Sequence, residues 1–422
     1  MTPAQKPTGQ PILVRKYGGT SIASVERIGV VAADVASKKR EGYRLVVVVS
    51  AMGHHTDELE HLARSVSPDP PRRELDMLLS VGERISMTLL SMALQAHGCS
   101  AISFTGSQCG LITDCSHTEA RILEVKGDRV REALADGHVV VVAGFQGVSR
   151  EREVTTLGRG GSDATAVALA AALGAERCEI LKDVDGVFTG DPHRLEGVRR
   201  YDRLSYEELA TLADAGCEVV HARAVDYARR HDVPLFIGSS FRDTPGTRVT
   251  RETSAQADPP APAPSGDACG YRPLSLVARE DVALLEIACR NAADFAALRD
   301  ATGDAGRDLL PLGEWLRCDE ACVWRTLLPS AVAADLHDRL APAAADVSAS
   351  LRFRRGLTCL TLAGRPATSW SAVHARLADL LASCDVRDHA LLTDGPLLRL
   401  LVSVDDGAAL QQPLHDAFLA GD

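Results

Sequence analysis

The chain has 422 residues, of which 45% are hydrophobic and 24% charged, and its 46 Lys and Arg against 57 Asp and Glu give a net charge of −11. That length exceeds one ordinary core and predicts a large domain followed by one or two smaller ones. The acidic balance, with basic residues dispersed rather than gathered in a stripe, excludes nucleic acid as a partner, and no uninterrupted apolar run approaches the roughly 20 residues of a membrane-spanning helix.

Residues 1–10 carry neither a basic segment leading into a long apolar core nor an Arg-rich amphipathic pattern, so they read as a loose tail on a cytoplasmic protein. From about residue 11 to 250, short β-branched runs alternate with Ala/Leu-rich helical stretches, which implies a mainly parallel sheet sandwiched by helices. The expected strands are 12–17, 44–52, 101–106, 138–147, 178–186 and 233–239. Several are apolar throughout, as strands buried on both faces should be. Residues 251–270 (RETSAQADPPAPAPSGDACG) read as a linker. Beyond them, 346–422 has the order βαββα of a ferredoxin-like module, and 271–345 reads as a degenerate copy with a helix near 292–301. The eleven cysteines are scattered, and the closest pair, Cys318 and Cys322, lacks the spacing of a zinc knuckle, so reduced thiols and no protein-held metal are expected.

Five segments carry chemistry. Lys16-Tyr17-Gly18-Gly19-Thr20-Ser21 falls where a strand gives way to a helix; its glycines let backbone N–H groups approach an anion beside a lysine, though a tight turn with a surface lysine would use the same residues. Ser50-Ala51-Met52-Gly53 follows the strongest apolar strand, at the sheet edge where ligands of open α/β folds sit. His54 and His55 come next, and adjacent positions rarely aim both rings at one ion, so they read as solvent-facing or rim residues, followed by Thr56. Glu83, at a loop-to-helix junction, has the charge to pair with an ammonium, or is merely solvated. Gly158-Arg159-Gly160-Gly161-Ser162-Asp163 precedes the helix ATAVALAAALGA and places donors, a guanidinium and a carboxylate at a helix N-terminus; a loop closing on an N-cap is the plainer alternative. Lys182-Asp183-Val184-Asp185-Gly186-Val187-Phe188, with Gly190-Asp191-Pro192-His193, resembles a nucleotide edge, or ordinary Asp-Gly and Asp-Pro turns.

In this order and spacing, together with TGSQCGLITDCSHTEARI at 105–122, VVVVAGFQGVSRE at 139–151 and VPLFIGSSFRDTPGT at 233–247, the chain resembles the aspartate kinases of the amino acid kinase family. The resemblance implies ATP-dependent phosphorylation of the side-chain carboxylate of L-aspartate, with Mg²⁺ bound mainly through ATP oxygens. By matching position, Lys16 and the amides of Gly18 and Gly19 would stabilise the transferring phosphate, and Asp163 would organise the lysine and the phosphates. Ser50, Gly53, Lys182, Asp183, Phe188, Asp191 and His193 would lie on the ATP side. Arg159 would grip the substrate α-carboxylate, with Thr20, Thr56, Glu83, Gly160, Gly161 and Ser162 completing the substrate side. The C-terminal pair is similar to tandem ACT domains, which implies a homo-oligomer.

Several residues depart from the family pattern. His193 stands where relatives have Arg, Ala222 where Pro follows the His, Phe188 where Tyr is usual, and Glu218 where a Gly-Ala-Lys-Val segment supplies Lys. Reversing a charge near the phosphates matters by about 1 kcal/mol or more, and Lys182, where many relatives carry Thr, is expected to compensate. The effector-loop positions Arg290–Asp294 and Arg365–Ser369 lack Pro-Gly, so weak or absent inhibition by lysine and threonine is expected. A kinase for another amino acid or a modified aspartate, and a non-catalytic kinase-like subunit, are the competing functions.

Overall fold

The computed structural model describes residues 10–251, 271–291, 294, 296–298, 310–311, 316–318, 321–365 and 370–420. The expected tail, nearly all of the linker, most of the helix near 292–301 and part of each effector loop lie outside the described residues. The chain forms two compact units, one built from residues up to Val187 with 200–213 and the stretch from Cys217, the other from Phe188–Arg199, Asp214–Gly216 and the C-terminal part.

The first unit is organised by β1 (Ile12–Tyr17), β2 (Arg44–Val49), β3 (Ala101–Phe104), β6 (Val139–Ala143) and β9 (Arg177–Lys182), extended by β10 (Arg203–Ser205), β11 (Leu235–Ser239) and β12 (Thr247–Thr250). Their order is β10-β12-β11-β9-β1-β2-β6-β3, and every pairing is parallel except β11 with β12. The apolar runs of β2 and β6 are almost wholly buried, and β1 is buried along its whole length although it carries Arg15 and Lys16. Helices α1 (Val25–Arg40) and α4 (Val81–Ala96) supply Ile28, Val31, Val35, Met87, Leu90 and Leu94 to one core with Leu13, Leu45, Val47 and Val141. Burial of that many aliphatic side chains, about 1.5–3 kcal/mol each, is what fixes the sheet. The expected class, a mainly parallel sheet sandwiched by helices, is the observed one.

Three local features differ from the sequence reading. The stretch 138–147 is not one strand: β6 ends at Ala143, Phe145 turns at φ 67°, and β7 (Gln146–Ser149) continues in a second sheet. That small sheet, ordered β5-β4-β7-β8 with β4 (Leu111–Thr113), β5 (Ile122–Val125) and β8 (Val154–Thr156), escaped the sequence because its strands are only three or four residues long. Helices α3 (Arg72–Leu79) and α4 run together over 25 residues, long and apolar enough by composition alone to cross a membrane, contrary to the expectation from uninterrupted runs. Half of that length is buried inside the protein, with Asp76 and Glu83 among the buried side chains.

The second unit is an antiparallel sheet, β14-β16-β13-β17-β19-β18, covered by α9 (Ser330–Asp346), α10 (Ser371–Ser383) and α11 (Val404–Phe418). Its strands are β13 (Arg272–Cys289), β14 (Leu310–Pro311), β15 (Leu316–Cys318, beside β16), β16 (Ala321–Pro329), β17 (Ser350–Arg365), β18 (Ala390–Asp394) and β19 (Leu397–Ser403). From β17 to α11 the order is the βαββα expected of a ferredoxin-like module. β13 and β17 lie on opposite sides of the sequence boundary at 345/346 but pair with each other across it: the first half of β13 pairs with the last half of β17, and the second half with the first. β19 stops at Ser403 because the Ser403 side chain accepts a hydrogen bond from the Asp406 amide and caps α11.

Candidate active site

β1 delivers Lys16 to the carboxyl end of the sheet, where its side chain lies on the opposite face from its neighbours Arg15 and Tyr17. Directly above it begins α6 (Gly161–Leu173), an apolar helix with ten buried residues that could only pack in the interior. Asp163 occupies its first turn, where a carboxylate complements the helix dipole. The Lys16 Nζ lies 2.7 Å from Asp163 Oδ1, and Lys182 Nζ, at the end of β9, lies 3.6 Å from Asp163 Oδ2. Burial alone would raise the Asp163 pKa, but the charges of Lys16 and Lys182 outweigh it and hold the carboxyl at about 2. Burial also pulls the Lys16 ammonium below its ordinary value, with Asp163 opposing and Lys182 adding to the shift. One carboxylate thus serves two ammoniums, and the cluster carries an excess positive charge.

Gly18 threads between the lysines: a Cβ there would lie 3.8 Å from both Lys16 Nζ and Lys182 Cγ. Its amide donates to the Leu181 carbonyl at 3.1 Å, tying the first loop to β9. Gly19 crosses the Ser50–Gly53 loop so closely that a Cβ would meet the carbonyls of Ala51 and Gly53 at 3.0 Å, and the Gly53 amide donates to Gly19 at 3.1 Å. Ser50 donates its amide to Tyr17. Ala51 in turn donates its amide to Glu83 Oε1 at 3.1 Å. Glu83 is 2% exposed, its Oε2 is buried without a partner, and burial pushes its pKa up to about 7. The solvated alternative for Glu83 is therefore ruled out.

The glycine loop ahead of α6 is walled on each side. A Cβ on Gly160 would stand 2.1 Å from that of His221, whose ring caps α8 (Ala222–His231) by accepting from the Arg223 amide. Gly161 packs on Leu157 and Phe145, and Ser162, 7% exposed, sits against Gly144 at the end of β6. Arg159 is exposed at the tip between them.

Lys16, Gly18, Gly19, Ser50, Gly53, Glu83, Gly160, Gly161, Ser162, Asp163 and Lys182 therefore form one connected set. Thr20 is exposed on the short turn Thr20–Ile22, Thr56 is half-buried in the first turn of α2 (His55–Val66), and Asp183 is exposed just past β9. His54 lies open to solvent and His55 is half-buried, facing Asp57 and Glu58 respectively. Phe188, Asp191 and His193 belong to the second unit; there Asp191 Oδ1 accepts from the His193 amide at 2.9 Å in a tight turn, and the His193 ring is exposed. Lys182 also donates to the Glu218 carbonyl at 3.0 Å, while the Glu218 side chain is exposed. Sequence reasoning passed over Asp76, Phe145 and His221. The available signals were an acidic residue on the apolar side of the helix ELDMLL and a histidine directly before the helix ARAVDYARRH.

On the other face of the sheet a cavity of about 840 Å³ is lined by Arg15, Asp34, Arg177, Glu179, Phe236 and Arg242, among others. Its central charges are already spent on each other, Arg15 pairing with Glu179 at 2.7 Å and Asp34 at 2.8 Å, so it lacks the excess charge found at Lys16.

The amino acid kinase family description matches residues 11–239. An aspartokinase of Mycolicibacterium smegmatis is 54% identical over 239 residues, 56% of this chain and 57% of that protein, and one of Thermus thermophilus is 51% identical over 247 residues, 58% and 61%. The chain thus spans little more than half the length of the curated relatives it matches. E. coli aspartokinase III, in complex with aspartate and ADP, superposes with a TM-score of 0.76 over 96% of this chain and 99% of that one at 23% identity, a likeness of fold. With the family match covering more than half of the sequence and the sheet, glycine loops and lysine cluster lying inside it, the chain belongs to the amino acid kinase family.

Proposed function

We propose that the protein transfers the γ-phosphoryl group of ATP to the side-chain carboxylate of L-aspartate, giving 4-phospho-L-aspartate and ADP. The observation that carries this reading is the excess positive charge of Lys16, Lys182 and Asp163 beside a buried, half-unsatisfied Glu83. The first suits a phosphoryl group, the second a substrate ammonium; the relatives named aspartokinases favour aspartate as the amino acid.

In the reaction an oxygen of the aspartate side chain attacks the γ-phosphorus as the bond to the bridging oxygen of ADP breaks. A carboxylate nucleophile is already ionised and needs no general base. Asp163, held at about 2, has no capacity to act as one at neutral pH. Its work is electrostatic: it fixes Lys16 and Lys182 where charge gathers on the phosphoryl oxygens, and the Gly19 amide approaches from the first loop, whereas the Gly18 amide, expected to join it, is already bonded to the Leu181 carbonyl. Asp163 is occupied by two lysines, and among the described residues no three His, Cys, Asp or Glu converge. That donor set fits a Mg²⁺ held by the nucleotide's own oxygens and water, where the ion would neutralise phosphate charge. Arg159 grips the α-carboxylate and Glu83 receives the α-ammonium, with Thr20 and Thr56 at the rim. Ser50, Gly53 and Asp183 line the ATP side of this unit.

The reading extends to a cytoplasmic homo-oligomer assembled through the C-terminal modules, with weak or lost response to lysine and threonine. Its test is trapping of the acyl phosphate. With ATP, Mg²⁺ and hydroxylamine, aspartate is expected to yield hydroxamate and ADP in equal amounts, and glutamate at least tenfold less. Product from a different acid alone would reassign the substrate, and no ADP with any amino acid would make the chain a non-catalytic subunit.

A pH profile probes Glu83 separately. Burial holds its proton on until about pH 7, and only the ionised form pairs with an ammonium. For aspartate, kcat/KM is therefore expected to fall as pH drops through about 7, tenfold per unit below it, and Glu83→Gln is expected to abolish that limb while lowering the plateau. A parent profile flat from pH 6 to 8 would remove Glu83 from substrate binding.

A further inference from the structure

Asp76 lies on α3, outside the lysine cluster, and is wholly buried. Isolated charges are not buried without cause, and a buried carboxylate needs several donors to its two oxygens. Here donors converge from two separate segments. His117 Nδ1 approaches Oδ2 at 2.6 Å, the Thr118 amide donates to both oxygens at 3.0 and 3.2 Å, and the Thr156 hydroxyl donates to Oδ1. The Ala120 amide adds a bond to the Thr156 carbonyl at 2.9 Å, so turn 116–120 and β8 are lashed together around this carboxylate.

The turn that Asp76 holds is a strained one. Thr118 has φ 69°, a left-handed conformation that a β-branched residue rarely adopts and that costs of order 1–3 kcal/mol. The strain has a geometric result: the Thr118 carbonyl stands 3.1 Å from where a Cβ on Gly158 would be. It forms the wall behind Gly158, as His221 forms the wall behind Gly160. Arg159 sits between those glycines, exposed, so the path of its backbone sets the point from which its guanidinium reaches.

We propose that Asp76 is a positioning residue for the substrate side of the site, holding Thr118 in its left-handed turn so that Thr118 and Gly158 set the direction of Arg159. This rests on the reading that Arg159 grips the substrate α-carboxylate. The acceptor must be held to well under an ångström for transfer, so a relaxed wall weakens aspartate binding and leaves ATP binding intact.

Steady-state kinetics on the full chain test this. Asp76→Asn is expected to raise KM for aspartate about tenfold or more while KM for ATP changes less than twofold. Thr118→Gly in that background is expected to restore the aspartate KM, because glycine adopts φ 69° without an anchor. Hydrogen exchange of the Gly158–Gly161 amides is expected to accelerate in Asp76→Asn while that of Gly18 and Gly19 does not. Equal rises in both KM values, failure of the glycine rescue, or unchanged exchange at 158–161 would each overturn the proposal. Thr156→Val, which removes one donor and keeps the shape, is expected to show the same split at smaller size and stands in if Asp76→Asn does not fold. Arg159→Met separates the two readings: an unchanged aspartate KM there defeats the role of Arg159 itself, whereas a raised one beside an unaffected Asp76→Asn defeats only the role of Asp76.

Discussion

Lys16→Met is expected to lower kcat for ADP formation with aspartate by about 10³-fold while KM for ATP moves less than about threefold. Methionine fills nearly the same volume, so the 5%-exposed site stays packed and only the ammonium is lost. The nucleotide would still meet Lys182 and the Gly19 amide of the first loop, which is why ground-state binding survives. What disappears is the cation 2.7 Å from Asp163, the one placed to strengthen its contact as the phosphoryl oxygens gain charge. Lys16→Arg is expected not to rescue, since at a 5%-exposed position a planar fork does not reproduce the donor geometry of a compact ammonium. The measurement is coupled ADP release with hydroxamate formation in parallel; a loss of tenfold or less would take Lys16 out of the reaction.

Asp163→Ala is expected to damage the fold as well as the chemistry. Removing the carboxylate leaves the ammonium of Lys16 buried and that of Lys182 mostly so, with no compensating charge, and breaking a buried pair from one side costs about 3–5 kcal/mol. In a domain of this size that corresponds to a fall in Tm of roughly 10 °C. Asp163→Asn keeps an acceptor for Lys16 and is expected to lose less than half as much Tm, yet its activity is expected to stay at least 10²-fold down because the lysines are no longer held by charge. If both variants melt like the parent, the carboxylate is not what stabilises the cluster. The sign of the pH dependence follows from the same pairing. A carboxyl lowered from 3.8 to about 2 contributes stability at neutral pH that is lost as pH falls between about 4 and 2.

The residues of the first loop, Gly18 and Gly19, read from the sequence as either an anion-binding loop or a tight turn, and the structure contains a close backbone approach at Gly19. Lys182 was legible as a charge but not as a partner: its 3.6 Å approach to Asp163 joins the end of β9 to the start of α6, nineteen positions away in a chain that doubles back. Glu83 shows the opposite limit. Its helix register allowed either a solvated or a paired carboxylate, and only the packing of α4 against the Ser50–Gly53 loop buries it and raises its pKa.

Alternating β-branched and Ala/Leu-rich runs settled the parallel sheet and its helices on their own, because burial on both faces demands continuous apolar strands wherever they fall in the chain. The glycine loops announced themselves for a similar reason, since their backbone needs are local. Tertiary structure alone decided the small second sheet, the half-to-half pairing of β13 with β17, and the convergence on Asp76 and Asp163. Each of these depends on groups far apart in sequence meeting in space, and neither propensity nor periodicity encodes such a meeting.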